Sequence, residues 1–171
     1  MVDFTVAICT YNGENRLPEV LERLRSQRQA EHFSWEVLVV DNNSRDRTTQ
    51  VVQTHQKNWT GVGALVYCFE AEQGAAFARQ RAIREANSAL IGFLDDDNLP
   101  DPNWVAAAYE FGKQHPNAGA YGSRIRGIFE TEPPANFERI QPFFALTDRG
   151  DVPLQYDPNS KLLPPAAGLV V

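Results

Sequence analysis

Cysteine is nearly absent. Cys9 and Cys68 are the only two in 171 residues, and each lies in an apolar run with no CxxC spacing and no neighbouring histidine. That pattern excludes a disulfide framework and a thiolate zinc site, so two reduced core thiols are expected. Long apolar runs are missing too. No stretch reaches the roughly 18 residues of a membrane-spanning helix, and the opening MVDFTVAICTYN has neither a basic segment nor a cleavable apolar one. A cytosolic chain is expected. Basic residues are scarce relative to acids, 16 Lys plus Arg against 22 Asp plus Glu, a formal charge of −6. This is the wrong sign for gripping a phosphate backbone, and no nucleic-acid partner is expected. Glycine-rich phosphate loops are also absent: TYNGEN holds a single glycine, and no G-x-x-x-x-G-K-[ST] occurs, which points away from dehydrogenases and P-loop NTPases. His32, His55 and His115 are isolated, leaving no support for a histidine triad or a metal cluster.

What is present suffices for one core-bearing domain, with 43% hydrophobic residues. The runs 3–9 (DFTVAIC), 35–41 (WEVLVVD), 63–70 (GALVYCFE) and 88–94 (SALIGFL) read as buried strands. Between them, 14–28 repeats Leu17, Val20, Leu21 and Leu24 at helical spacing, with Pro18 tolerable in the first turn. The segment after Asp41 offers Ser44 or Asp46 as a helix N-cap. In 73–87, Ala75, Ala76, Ala78 and Ala82 allow a helix to pack closely on a sheet. Asp101 as N-cap and Pro102 as first helical residue open another helix, and 118–130 reads as a further strand. Residues 131–165 carry seven prolines and the Phe143-Phe144 pair and read as a long irregular excursion before a final strand start, AAGLVV. Alternating apolar strands and helices imply an α/β, Rossmann-like, mostly parallel sheet with helices on both faces.

Ligands of such sheets bind beyond the carboxyl ends of the strands. Three polar groups follow strand ends here: Thr10-Tyr11-Asn12, Asp41-Asn42-Asn43 and Asp95-Asp96-Asp97. Asp41 suits contact with a ribose or base, or the start of an Asx-turn with NNS. The aspartate trio is either a solvated acidic loop or a cation site. Alternation along extended backbone puts Asp95 and Asp97 together and Asp96 apart. Two converging carboxylates in a crevice favour a compensating hard cation, Mg²⁺ or Mn²⁺, bridged to substrate phosphates. A calcium loop is excluded, because DDDNLPDPNWVA lacks the glycine at its sixth position and the acid at its twelfth.

FTVAICTYNGENRLPEVLERLRSQ, WEVLVVDNNSRDRT, EQGAAFARQRAIREANSALIGFLDDDNLPDPNWV and the terminal AAGLVV, in that order and spacing, together resemble a family 2 glycosyltransferase with the GT-A fold. The resemblance covers most of residues 3–125. It implies polysaccharide-type biosynthesis in which a sugar moves from a nucleotide-sugar, usually a UDP-sugar, to a hydroxyl of a carbohydrate or lipid-linked acceptor, with inversion. By analogy, Thr10, Tyr11 and Asn12 line the base and ribose pocket with Glu14 beside them. Asp41 addresses the base, and Arg79 lies close to the nucleotide. Asp95, Asp96 and Asp97 form a DxD-type element that holds ribose and metal. A backbone kink after Leu94 would present Asp96 and Asp97, whereas alternation selects Asp95 and Asp97, and Asp97 is placed first as metal ligand.

The resemblance also implies a general base downstream of the strand that AAGLVV begins. Asp148, Asp151 and Asp157 precede that strand, and none matches it. The expectation is therefore a donor-binding half-domain at 1–125 and the start of an acceptor-side region at 126–171. The base is expected beyond Val171, which makes this chain a piece of a longer enzyme that turns over poorly alone. Peripheral contact with the inner face of a membrane and self-association through an open sheet edge are both compatible with this reading. Two rivals stand beside it: a nucleotidyltransferase of similar fold, and a nucleotide- or sugar-binding module without catalysis. The aromatic side chains of Phe143, Phe144 and Tyr156 suit either a sugar platform or packing of their own loop.

Overall fold

The structure is a computed structural model that describes all residues except 62, 145, 147, 149, 151, 158 and 160–163. Asp151 therefore lies outside the described residues. The elements in chain order are β1 (Phe4–Thr10), α1 (Leu17–Arg25), β2 (Trp35–Asp41), α2 (Thr48–Lys57), β3 (Ala64–Phe69), α3 (Ala75–Glu85), β4 (Ile91–Asp95), α4 (Trp104–Gln114) and β5 (Leu169–Val170). Among the described residues five strands form one sheet in the order β3-β2-β1-β4-β5. β1 pairs in parallel with β2 and β4, β2 with β3, and only β5 runs antiparallel, on β4. This is the mostly parallel α/β sheet that the apolar strand runs imply.

β1 and β2 are buried almost throughout because both faces are covered. One face receives Leu17, Val20, Leu21 and Leu24 of α1, Val52 of α2, and Trp104, Val105 and Ala108 of α4. The other face receives α3, through Ala78 and Ala82 against Ala7, Leu38, Val40 and Phe93. Small side chains let this helix lie close to the strands. Ala75 and Ala76, read as packing residues, instead lie exposed in the first turn at the sheet edge. Gly92 in β4 has a packing reason: a Cβ there would sit 2.8 Å from the Phe4 ring and 2.9 Å from the Trp104 ring. Those two rings meet edge to face at 6.3 Å.

Several local expectations shift by a turn. α2 is preceded by Arg47, not capped by Ser44 or Asp46. Ser44 accepts from the Asn12 N–H instead, while Asp46 accepts from the Thr48 N–H and hydroxyl. α4 starts two residues later than Asp101-Pro102 suggested, because that segment forms a separate turn with Asp101 accepting from the Asn103 and Trp104 N–H groups.

The strand read at 118–130 is reduced to one antiparallel bridge between Tyr121 and Val170. Among the described residues its partner is β5, two residues long, so the pairing stays at one bridge. That bridge also covers part of the outer edge of β5. In the excursion Phe137 packs against Phe129 and Phe144, while Phe143 is 87% exposed.

Candidate nucleotide-binding edge

The strand register brings the three polar groups to one edge. Thr10 is aligned with Asp41, and Cys9 with Asp95. The loops after β1 and β2 then fasten to one another. The Asn12 N–H donates to Ser44 Oγ, Gly13 N–H to Thr48 Oγ1 and Glu14 N–H to Asp46 Oδ2. In return Asn12 Oδ1 accepts from the Arg45 N–H, and Glu14 Oε2 from the Arg47 N–H and Nε. Asn12 and Asn43 hold left-handed backbone, at φ 51° and 62°, a conformation asparagine tolerates better than most residues.

Asp41 is 1% exposed. Its Oδ1 accepts from the Ser44 N–H, and its Oδ2 from the Thr49 hydroxyl and the Tyr67 hydroxyl. The carboxylate thus orders the loop through the N–H three residues on, one residue beyond an Asx-turn. Asn42 does similar work toward the third strand: its amide donates to the Glu70 and Glu72 carbonyls and accepts from the Gly74 N–H that opens α3.

The turn after β4 divides its three aspartates. Asp96 is buried, points toward α1, and accepts from Thr10 Oγ1 at 2.6 Å and from Arg16 Nε and Nη2 at 2.9 and 3.0 Å. Asp95 is half-exposed and meets Arg79 of α3 at 3.4 Å, a separation at which a surface ion pair contributes little. Asp97 is exposed and accepts from Asn98 Nδ2 at 3.0 Å. Asn98 in turn closes the turn, its Oδ1 accepting from the Asp95 N–H while its own N–H donates to the Asp95 carbonyl. Burial pushes the Asp95 carboxyl above the usual range. Arg79 opposes that shift, and repulsion from Asp97 and Asp96 adds to it.

Of the residues singled out in the sequence, Tyr11, Asn12, Asp95, Asp97 and Arg79 keep surface at this edge, with Glu14 partly exposed, and Tyr11 is 41% exposed. Thr10, Asn12, Glu14, Asp41 and Asp96 are engaged in holding the loops. Asp148 is held by Arg124 and the Gly150 N–H, and Asp157 accepts from the Asn159 N–H, both within the irregular segment.

Sequence reasoning missed Arg16 and Gly13. A Cβ on Gly13 would sit 2.2 Å from Thr10 Oγ1 and 2.9 Å from Asp96 Oδ2. Only the N-G-E-N turn pattern hinted at that glycine, and nothing local paired Arg16 with an acid 80 positions away.

Among the described residues no group of three or more His, Cys, Asp or Glu side chains is arranged to hold a metal ion by itself. Burial, Asp97 and Asp96 disfavour the charged form of Asp95, which a hard divalent ion would relieve, with Asp97 two residues on as a second oxygen donor. The remaining coordination would then come from ligand phosphates and water, the usual habit of Mg²⁺. Among the described residues no helix is long and apolar enough to cross a membrane.

Known proteins are similar to this chain in sequence and in fold. The chain is 30% identical over 101 residues to the glycosyltransferase AglE of Haloferax volcanii, covering 59% of this chain and 32% of that protein. It is 28% identical over 116 residues to the poly(ribitol-phosphate) beta-N-acetylglucosaminyltransferase TarS of Staphylococcus aureus, covering 67% and 20%. In structure it resembles TarS 1-349 in complex with UDP-GlcNAc, with TM-score 0.64, 25% identity and coverage of 77% of this chain and 37% of that one. It also resembles the mannosyltransferase PcManGT of Pyrobaculum calidifontis in complex with GDP-Man and Mn²⁺, with TM-score 0.66, 29% identity and coverage of 73% and 36%. The architecture is the GT-A fold of these neighbours. The chain spans about a third of the length of the first curated relatives it matches. The family model described as glycosyl transferase family 2 matches residues 5–160, and with the parallel sheet and its shared strand-end edge this makes the chain a member of that family.

Proposed function

We propose that this chain binds the donor in an inverting glycosyltransferase that moves a sugar from a nucleotide-sugar, a UDP-sugar in the first instance, to an acceptor hydroxyl. Residues 1–125 form the donor half, and 126–171 begin the acceptor side, where a carbohydrate or lipid-linked acceptor docks. The observation that carries this reading is the outward pair Asp95 and Asp97, set beside Arg79 on the same sheet edge as the exposed Tyr11 ring. Family membership and neighbours solved with UDP-GlcNAc or with GDP-Man and Mn²⁺ support it.

In this reading the Tyr11 ring stacks on the base. Arg79 offers positive charge to the nucleotide, and Asp97 with Asp95 holds Mn²⁺ or Mg²⁺. The ion, when bound, acts as a Lewis acid for the negative charge that develops on the departing diphosphate. Asp41, Asn42 and the hydrogen bonds between the loops keep that edge in shape. A binding module without turnover would share this donor edge, but the outward carboxylate pair favours an enzyme, because phosphate-bound metal suits departure of the diphosphate.

A UDP titration with and without Mn²⁺ tests the assignment. Mn²⁺ should tighten UDP binding to the native chain, and Asp97→Asn should remove that gain, a loss of at least about tenfold, or about 1.4 kcal/mol. Metal-independent binding by the native chain would leave the trio as a solvated acidic loop.

A further inference from the structure

We propose that Arg16 is a positioning residue for this edge: by holding Asp96 inward it leaves Asp95 and Asp97 as the two carboxylates that face the ligand. The role in ligand binding rests on the nucleotide-and-metal reading above.

From sequence, Arg16 looks like a solvated arginine at the start of an amphipathic helix. In the structure its guanidinium grips both Asp96 oxygens, Nε to Oδ1 at 2.9 Å and Nη2 to Oδ2 at 3.0 Å, and Nη2 also reaches the Tyr11 carbonyl at 3.3 Å. One side chain therefore ties the turn after β4 to the backbone of the residue whose ring is exposed at the edge. Thr10 donates to the same carboxylate from the end of β1, and Gly13 leaves the space in which hydroxyl and carboxylate meet. Sequence positions 10, 13, 16 and 96 are thus fitted to one contact.

The physical need for that contact is electrostatic. Asp96 is 8% exposed, and a carboxylate that buried is costly unless it is paired and hydrogen-bonded. The guanidinium supplies charge and two parallel donors in a fixed fork, which a lysine cannot do. Without Arg16, the relief open to Asp96 is to turn outward into solvent, where Asp95 and Asp97 already repel one another. Three mobile carboxylates would then replace two fixed ones, and the geometry for a metal bridged to diphosphate would be lost. Arg16 acts on the site through Asp96, so its effect should vanish when Asp96 is neutral.

The test is Mn²⁺-dependent UDP binding by the native chain, Arg16→Gln, Arg16→Lys, Asp96→Asn and the Arg16→Gln/Asp96→Asn double variant. Arg16→Gln should weaken binding by about 10–100-fold, the usual cost of losing an outer-shell partner. Arg16→Lys should recover only part. In the Asp96→Asn background, Arg16→Gln should cost almost nothing further, as coupled residues do. An equal loss in both backgrounds would mean that Arg16 touches the ligand itself and would overturn the proposal, as would native affinity in Arg16→Gln.

Amide hydrogen exchange without nucleotide or metal gives a second readout. The Asp95 and Asn98 amides, which close the turn, should lose protection in Arg16→Gln while Val6 and Val39 keep theirs. Unchanged protection of the turn would sink the proposal. A native chain that gains no UDP affinity from Mn²⁺, combined with a turn that loosens in Arg16→Gln, would overturn the function reading and leave the positioning of Asp96 supported.

Discussion

The loop after β2 and the turn after β4 both begin where a parallel strand ends in an aspartate, and they treat that charge in opposite ways. After β2, Asp41 and Asp46 are surrounded by N–H and hydroxyl donors from their own loop, the loop after β1, the start of α2 and Tyr67 of β3. Burial alone would push the Asp46 carboxyl up, but the Thr48 hydroxyl and the N–H groups of Glu14 and Thr48 outweigh it, and the group ends below its usual range. After β4, burial raises Asp95, and Arg79 does not outweigh it. The closed loop stabilises the charged form of Asp46, whereas the open turn leaves the charge of Asp95 incompletely compensated. A scaffold needs the first arrangement. A cation site needs the second, because an ion binds where charge is left to neutralise.

The largest break in this contrast should come from Asp41→Ala. It strands the Ser44 N–H and leaves the Thr49 and Tyr67 hydroxyls with only each other for a partner, and should cost about 2 kcal/mol, read as a lower urea midpoint with an unchanged slope.

A smaller effect should appear in pH dependence. Asp46, with its lowered folded pKa, contributes stability that is present above its unfolded value of 3.8 and is lost as pH falls through the folded value. Asp95, raised above the same value, behaves oppositely: its contribution is full below 3.8 and is lost as pH rises through the folded value. Urea unfolding from about pH 3 to pH 7 should therefore show Asp46→Asn flattening the acid limb and Asp95→Asn holding its stability above the native chain on the higher-pH side. The same direction for both variants would erase the distinction.

The smallest stability effect belongs to Asp97→Ala, whose side chain is exposed and bonded only to its neighbour Asn98. Its midpoint should stay within about 0.5 kcal/mol of native, even though the same position is assigned the metal. A large loss there would show that the turn after β4 is scaffold as well.

The order of strands and helices was legible in the chain because it is local: β1, β2 and β4 are short runs of branched apolar residues, and α1 repeats leucine and valine at helical spacing. The polar clusters at strand ends were legible for the same reason, since a parallel sheet gathers those ends by topology alone. Cap positions were less so. Ser44, Asp46 and Asp101 are good cap residues by type, but each found another donor nearby, and the helices began a residue or two later. The strand expected at 118–130 failed because a strand is defined by its partner, and only Tyr121 meets one.

Alternation along extended backbone set Asp96 apart from Asp95 and Asp97, but β4 ends at Asp95, and Asp96 and Asp97 lie in the turn, where strand alternation does not apply. Which of the separated carboxylates would be buried was not decided by alternation. Tertiary structure settled it by bringing Arg16 and Thr10 against Asp96 from about 80 residues away, and by directing the Thr49 and Tyr67 hydroxyls onto Asp41. Hydrogen bonds between distant segments depend on distance and direction in three dimensions, which residue type and spacing do not encode one position at a time. Local periodicity thus determined the sheet, its helices and the edge where acids collect. Only the packed loops decided which acids hold that edge together and which remain open to a ligand.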